Sequence, residues 1–234
     1  MQIKKEIKRI NKNRIIILLP FWSDEKMKEK IGEYTFDSVK GYIPKNFGYI
    51  YYQYSEDLIN PNPELTRKYF NKLISEILND IKKIQNKERG KEFYIFAQSL
   101  GGLFAMIIAD KIDIKKVSLI CPGDNLAECF WSGVATKSIK QKMQKSGIKK
   151  NELKKIWLKI SPDFYFKKRS KKTKFYIELS KKDNVIPYKN GRNLIKLLKK
   201  EGINFDINEI SLSHEFALME EGPFFRKPLD FLIN

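Results

Sequence analysis

One histidine and two cysteines are all that this 234-residue chain offers in soft metal ligands. Cys121 and Cys129 show no C-x-x-C spacing, and a single His cannot complete a usual zinc site. No metal site is therefore expected. The two thiols read as free, which suits a reducing compartment rather than a disulfide scaffold. A long apolar run is also missing, so no membrane span is expected. There is no repeat at a fixed period, no low-complexity tract and no Pro- or Ser-rich linker, so residues 1–234 read as a single domain. No G-x-x-x-x-G-K-[ST] loop occurs, and nothing else marks a nucleotide, so no cofactor is expected.

What the chain does have is positive charge: 46 Lys+Arg against 28 Asp+Glu, a formal +18. A field of that size attracts anionic partners of any kind. The lysines, however, are spread along the whole chain and far outnumber the arginines that sequence-specific readers prefer for bidentate contacts. Nucleic-acid binding is not expected as the main function. The densest run, Lys167, Lys168, Arg169, Lys171, Lys172 and Lys174, reads as a solvated loop. Lys and Arg before the apolar run of residues 15–19 mimic a signal peptide. But Asp24, Glu25 and Lys26 follow quickly and no small-x-small cleavage site appears, so a buried strand in a cytoplasmic protein is the simpler reading. A 42% apolar and 13% aromatic composition supplies a core.

Strand and helix signals alternate. Residues 14–19, 47–54, 92–97, 116–121, 174–179 and 205–212 read as strands, being β-branched or aromatic and bounded by turn residues. Helical spacing marks residues 65–81, 99–111, 188–201 and 224–232. The pattern predicts a three-layer α/β/α sandwich with about six mostly parallel strands and ligands beyond their carboxyl ends. Ile3, Ile7 and Ile10 predict a short amphipathic helix in residues 1–13, with no antiparallel strand at the N-terminus. Residues 124–173 are too long for a simple crossover and rich in aromatics. They read as a helical lid, with helices over 126–145 and 151–159.

One strand end carries chemistry. Residues 92–97 run into Ala97-Gln98-Ser99-Leu100-Gly101, where a sharp strand-to-helix turn needs small neighbours two positions either side of its corner. Such a turn lifts the Ser99 hydroxyl to a helix N-terminus, where free N–H groups favour developing negative charge. The sequence here resembles the α/β-hydrolase superfamily, over nearly its whole length, with Ala97 in place of the first Gly of G-x-S-x-G. The resemblance implies a triad in the order Ser, acid, His. Asp183-Asn184-Val185-Ile186-Pro187 looks like the family's acid segment, and His214 fills the slot after the last strand. Ser99 is then the nucleophile, His214 its base and Asp183 the acid. Asp124, after an earlier strand, competes for the acid's role, and Glu215 reads as surface.

The family's oxyanion hole implies one donor from the Leu100 N–H and a second from the loop after the first strand. Phe21 N–H is the first choice there and Trp22 the second. Trp22, Phe130 and Trp131 are expected to wall an apolar substrate pocket. The implied activity is a serine hydrolase of the carboxylesterase type. It would cleave an ester, or thioester, of a small, partly apolar molecule through an acyl-enzyme. Acyltransferases use the same residues and stay open, as does the oligomeric state. The alternative is a non-catalytic protein of the same fold that holds an anionic partner on its lysine-rich surface.

Overall fold

The computed structural model describes residues 2–22, 39–165, 172–218 and 223–234. Lys167, Lys168, Arg169 and Lys171 of the basic run lie outside them. Seven strands form one sheet in the order β1-β3-β2-β4-β5-β6-β7. They are β1 (Ile3–Lys8), β2 (Arg14–Leu19), β3 (Phe47–Tyr54), β4 (Glu92–Gln98), β5 (Lys116–Ile120), β6 (Lys174–Ser180) and β7 (Phe205–Ile210). β2 to β7 are mutually parallel. β1 runs antiparallel to β3 along one edge.

β1 corrects the N-terminal helix expected from the sequence, and with it the expectation of no antiparallel strand there. A spacing of four, as between Ile3 and Ile7, places two residues on one side of a helix and equally on one side of a strand. Tertiary partners decide between the two. Lys5, between the isoleucines, bonds both carboxylate oxygens of Asp80 at 3.0 and 2.8 Å. Glu6 on the opposite face accepts from Lys40 Nζ and the Tyr49 hydroxyl, each at 2.8 Å. Lys4 and Lys8 stay exposed on this edge, the placement that discourages pairing with another chain.

Besides helical residues 39–42, eight α-helices lie among the described residues: α1 (Pro63–Lys87), α2 (Leu100–Lys111), α3 (Leu126–Ser132), α4 (Lys137–Lys145), α5 (Lys150–Trp157), α6 (Tyr188–Lys200), α7 (His214–Leu218) and α8 (Pro223–Ile233). Asn62 caps α1 by accepting the Glu64 N–H at 3.0 Å, with Pro63 in the first turn where its missing N–H costs nothing. Every residue of α2 from Leu100 to Ala109 is buried. The strands divide their side chains between two cores. Ile15, Ile17 and Leu19 pack with α1, α2 and α6 on one face. Ile16, Leu18, Tyr49 and Phe96 pack with Val39, Ile43, Leu229 and Leu232 on the other. This is the expected three-layer sandwich. None of the described helices is long and apolar enough to cross a membrane.

The stretch expected as one helix over 126–145 is two, α3 and α4, separated at Gly133. A Cβ there would lie 2.2 Å from the Val185 carbonyl oxygen. Val134 N–H donates to Asn184 O at 3.1 Å. The break is thus where the insertion docks against the loop after β6. The same insertion is rooted in the core through α5: Trp157 is fully buried and its indole N–H donates to Pro63 O at 2.9 Å.

A polar seam crosses the second face. Ser118 pairs with Tyr176 and Glu178 with Asn208 across β5, β6 and β7. Tyr176 also stacks on Phe231 of α8, ring centroids 5.6 Å apart. Burial pushes the Glu178 carboxyl up to about 7 from 4.5, against the opposing pull of the Asn208 amide and Lys227. Between those values the folded chain holds a proton that the unfolded chain has released. Stability is therefore full below about pH 4.5 and declines as pH rises through 7, by at most about 3 kcal/mol. Glu178→Gln keeps an acceptor for Asn208 and removes the ionisation. Urea unfolding from pH 5 to 8 should show a shallower loss of stability in this variant, and parallel slopes would contradict the assignment.

Candidate active site

The carboxyl ends of β4, β5 and β6 and the segment after β7 converge on one spot. At the β4–α2 corner Ser99 takes φ 51° and ψ −118°, a conformation that L residues avoid. Two bonds hold it there: Ser99 N–H to Ile120 O at 2.8 Å and Gly102 N–H to Ser99 O at 2.9 Å. The corner also needs close backbone approach. A Cβ on Gly101 would stand 2.2 Å from Leu19 O and 2.7 Å from Pro20 O, whereas one on Gly102 would meet a Pro122 side-chain carbon at 3.2 Å. Alanine gains roughly 1 kcal/mol over glycine inside a helix, but overpacking against backbone costs about 1–3 kcal/mol. Gly101→Ala should therefore lower the urea midpoint while Gly102→Ala leaves it nearly unchanged. Equal effects would remove the close approach as the reason for Gly101.

Asp183 lies just after β6. Its Oδ1 accepts the backbone N–H groups of Val185 at 2.9 Å and Ile186 at 2.8 Å. Its Oδ2 lies 2.7 Å from His214 Nδ1, and His214 Nε2 lies 3.0 Å from Ser99 Oγ. A carboxylate can only accept, so Nδ1 carries the ring proton and Nε2 is left to receive the serine hydroxyl. All three side chains are buried, at 5%, 8% and 2% residual exposure for Ser99, Asp183 and His214. Asp124 does not share this arrangement: the Asn190 amide donates to it at 3.3 Å and burial pushes its carboxyl up. Glu215 is half-buried at the start of α7.

A pocket opens beside Ser99, lined by Trp22, Ile59, Leu100, Leu103, Leu126, Phe130, Thr136, Val185 and Ile186 among others. Its walls are fixed. Trp22 Nε1 donates to Glu56 O at 2.9 Å, and the Phe130 ring meets Trp157 edge-on at 5.1 Å. Trp131 is not among the walls, contrary to expectation. Successive helical residues point about 100° apart, so with Phe130 facing the pocket its neighbour turns away, to pack half-buried on the core. Phe21 is half-buried against the second core, in the loop whose preceding carbonyls, Leu19 and Pro20, crowd Gly101.

Ile59, Leu103, Thr136, Val185 and Ile186 were not anticipated from the sequence, although Val185 and Ile186 lie two and three residues beyond Asp183. Cys121 is a second omission. Immediately after β5, also at positive φ (50°), it brings its sulfur within 4.8 Å of ligand atoms of both Asp183 and His214. Its position at a strand's carboxyl end was the available signal. Burial, with Asp183 beside it, pushes its thiol well above the ordinary range.

No protein-family model and no curated protein matches the sequence. Solved structures do match the fold. An acylaminoacyl peptidase of Pyrococcus horikoshii superposes with a TM-score of 0.66 at 16% identity, over 98% of this chain but 38% of the peptidase. A capsule O-acetyltransferase of Neisseria meningitidis serogroup A gives 0.64 at 16% identity, covering 98% and 88% of the two chains. Esterase B of Lactobacillus rhamnosis gives 0.62 at 11%, covering 98% and 84%. The chain has the α/β-hydrolase fold.

Proposed function

We propose that the protein is a serine hydrolase that cleaves a carboxylic ester, or thioester, of a small and partly apolar substrate. The observation that carries this is the buried relay from Ser99 Oγ to His214 Nε2 at 3.0 Å and from His214 Nδ1 to Asp183 Oδ2 at 2.7 Å. A serine hydroxyl is a weak nucleophile until a base takes its proton during attack. His214 is placed to take it and to return it to the leaving group. Asp183 fixes the tautomer and stabilises the imidazolium that forms. Serine joins the acyl carbon, the alcohol or thiol departs, and water repeats the sequence to release the acid. Leu100 N–H, at the start of α2, and Phe21 N–H, in the loop beside Gly101, are the donors proposed for the oxyanion.

The pocket suggests the acyl group. It has a volume of about 50 Å³, well under the roughly 150 Å³ that admits benzene in an engineered cavity. A short acyl chain suits so small an apolar space better than a long one. Among the similar structures, an esterase and an O-acetyltransferase agree with acyl chemistry.

A fluorophosphonate probe should add its mass to the Ser99 peptide of the wild-type protein, and 4-nitrophenyl acetate and butyrate should be hydrolysed faster than the octanoate. Equal labelling of Ser99→Ala, or no labelling at all, would falsify the reading.

A further inference from the structure

We propose that Cys121, Asp183 and His214 form an inhibitory site for a thiophilic divalent ion such as Zn²⁺ or Cd²⁺. The thiol sulfur, a carboxylate oxygen and an imidazole nitrogen of these residues all lie within 4.8 Å of one another, and all three residues are buried. The sulfur is held in place from its own backbone, at φ 50° with the Cys121 N–H donating to Glu178 O at 2.8 Å. A mixed sulfur, nitrogen and oxygen donor set selects zinc-like ions over Mg²⁺ or Ca²⁺, which prefer oxygen alone.

The geometry needs only a small adjustment. Bonds of about 2.0–2.3 Å at tetrahedral angles place ligand atoms roughly 3.3–3.8 Å apart. His214 Nδ1 and Asp183 Oδ2, now 2.7 Å apart, would separate by about 1 Å and the sulfur would close toward them. Charge also favours the site. A divalent ion held by one thiolate and one carboxylate is neutral overall, which a buried site requires.

The proton balance explains why binding inhibits. The Cys121 thiol loses its proton to solvent and the sulfur bonds the ion. His214 bonds the ion through Nδ1, so the ring proton relocates to Nε2. One proton is released for each ion bound, and nothing is oxidised or reduced. An imidazole protonated at Nε2 can no longer accept the Ser99 proton. Binding itself does not depend on Ser99; the inhibitory consequence rests on the serine-hydrolase reading.

Cadmium chloride titration of the intact protein, followed by the ultraviolet sulfur-to-cadmium charge-transfer band, tests the site. Wild type should bind one ion per chain. Cys121→Ser, nearly isosteric, and Cys121→Ala should each weaken binding at least ten-fold with the far-ultraviolet circular dichroism unchanged. His214→Asn should weaken it comparably with both thiols intact, and Cys129→Ser should keep the band. Saturating Cd²⁺ should slow fluorophosphonate labelling of wild type at least ten-fold, reversibly with a chelator, and leave labelling of Cys121→Ser unaffected. No band in wild type, or unchanged affinity in folded Cys121→Ser and His214→Asn, overturns the proposal. If the ion binds as described but the metal-free protein never reacts with the probe, the site stands and the hydrolase reading falls.

Discussion

Ser99→Ala is expected to lower kcat for a short-chain ester by about 10⁶-fold, the loss typical when a triad nucleophile is removed. The side chain is small and buried, and its hydroxyl bonds His214. It accepts no N–H at the start of α2, so its loss leaves that helix without a missing cap. The variant should therefore fold with a urea midpoint close to wild type. That combination separates chemistry from structure. Residual hydrolysis above about one per cent of wild type, in protein freed of contaminating esterase, would mean that another group attacks the carbonyl, because a positioned base and oxyanion donors alone retain only about 10³–10⁴ over water.

Asp183→Asn should cost about 10⁴ in kcat with little change in KM. Two bonds survive the change, since the asparagine carbonyl can still accept from Val185 and Ile186 N–H as Oδ1 does now. The third bond does not survive. The new amide presents N–H to His214 Nδ1, so the ring must place its proton on Nε2 and cannot take the serine's. Asp124→Asn is the matched control. Its carboxyl bonds Asn190 rather than the imidazole, so kcat should stay within about ten-fold of wild type. A steady-state comparison of the two variants on 4-nitrophenyl acetate decides between the acids. A larger loss in Asp124→Asn would reverse the assignment.

How far the site could be read along the chain depended on its distance from strand ends. Parallel strands expose the residues just beyond their carboxyl ends, and among those the resemblance to α/β-hydrolases singles out Ser99 after β4, Asp183 after β6 and His214 after β7. Cys121 follows β5 by the same rule. That position marks it as facing the site, but a lone thiol in sequence carries no sign of which groups it will face. The walls of the pocket were harder still. Phe130 and Trp131 are equivalent in composition, and only the rotation of α3 chooses one of them. Gly133 reads as a tolerable glycine within a helical stretch until the Val185 carbonyl arrives where its side chain would be.

The sequence by itself determined the alternation of strands and helices, the parallel six-stranded centre and the small residues of the Ser99 corner. These follow from local periodicity and from steric limits within a few residues. Tertiary structure alone decided that residues 3–8 pair as an edge strand, that Glu178 is buried where desolvation raises its carboxyl, and that a thiol stands beside the Asp183–His214 pair. Each of those depends on partners distant along the chain, and a hydrogen bond or a buried charge has no energy until both sides are present.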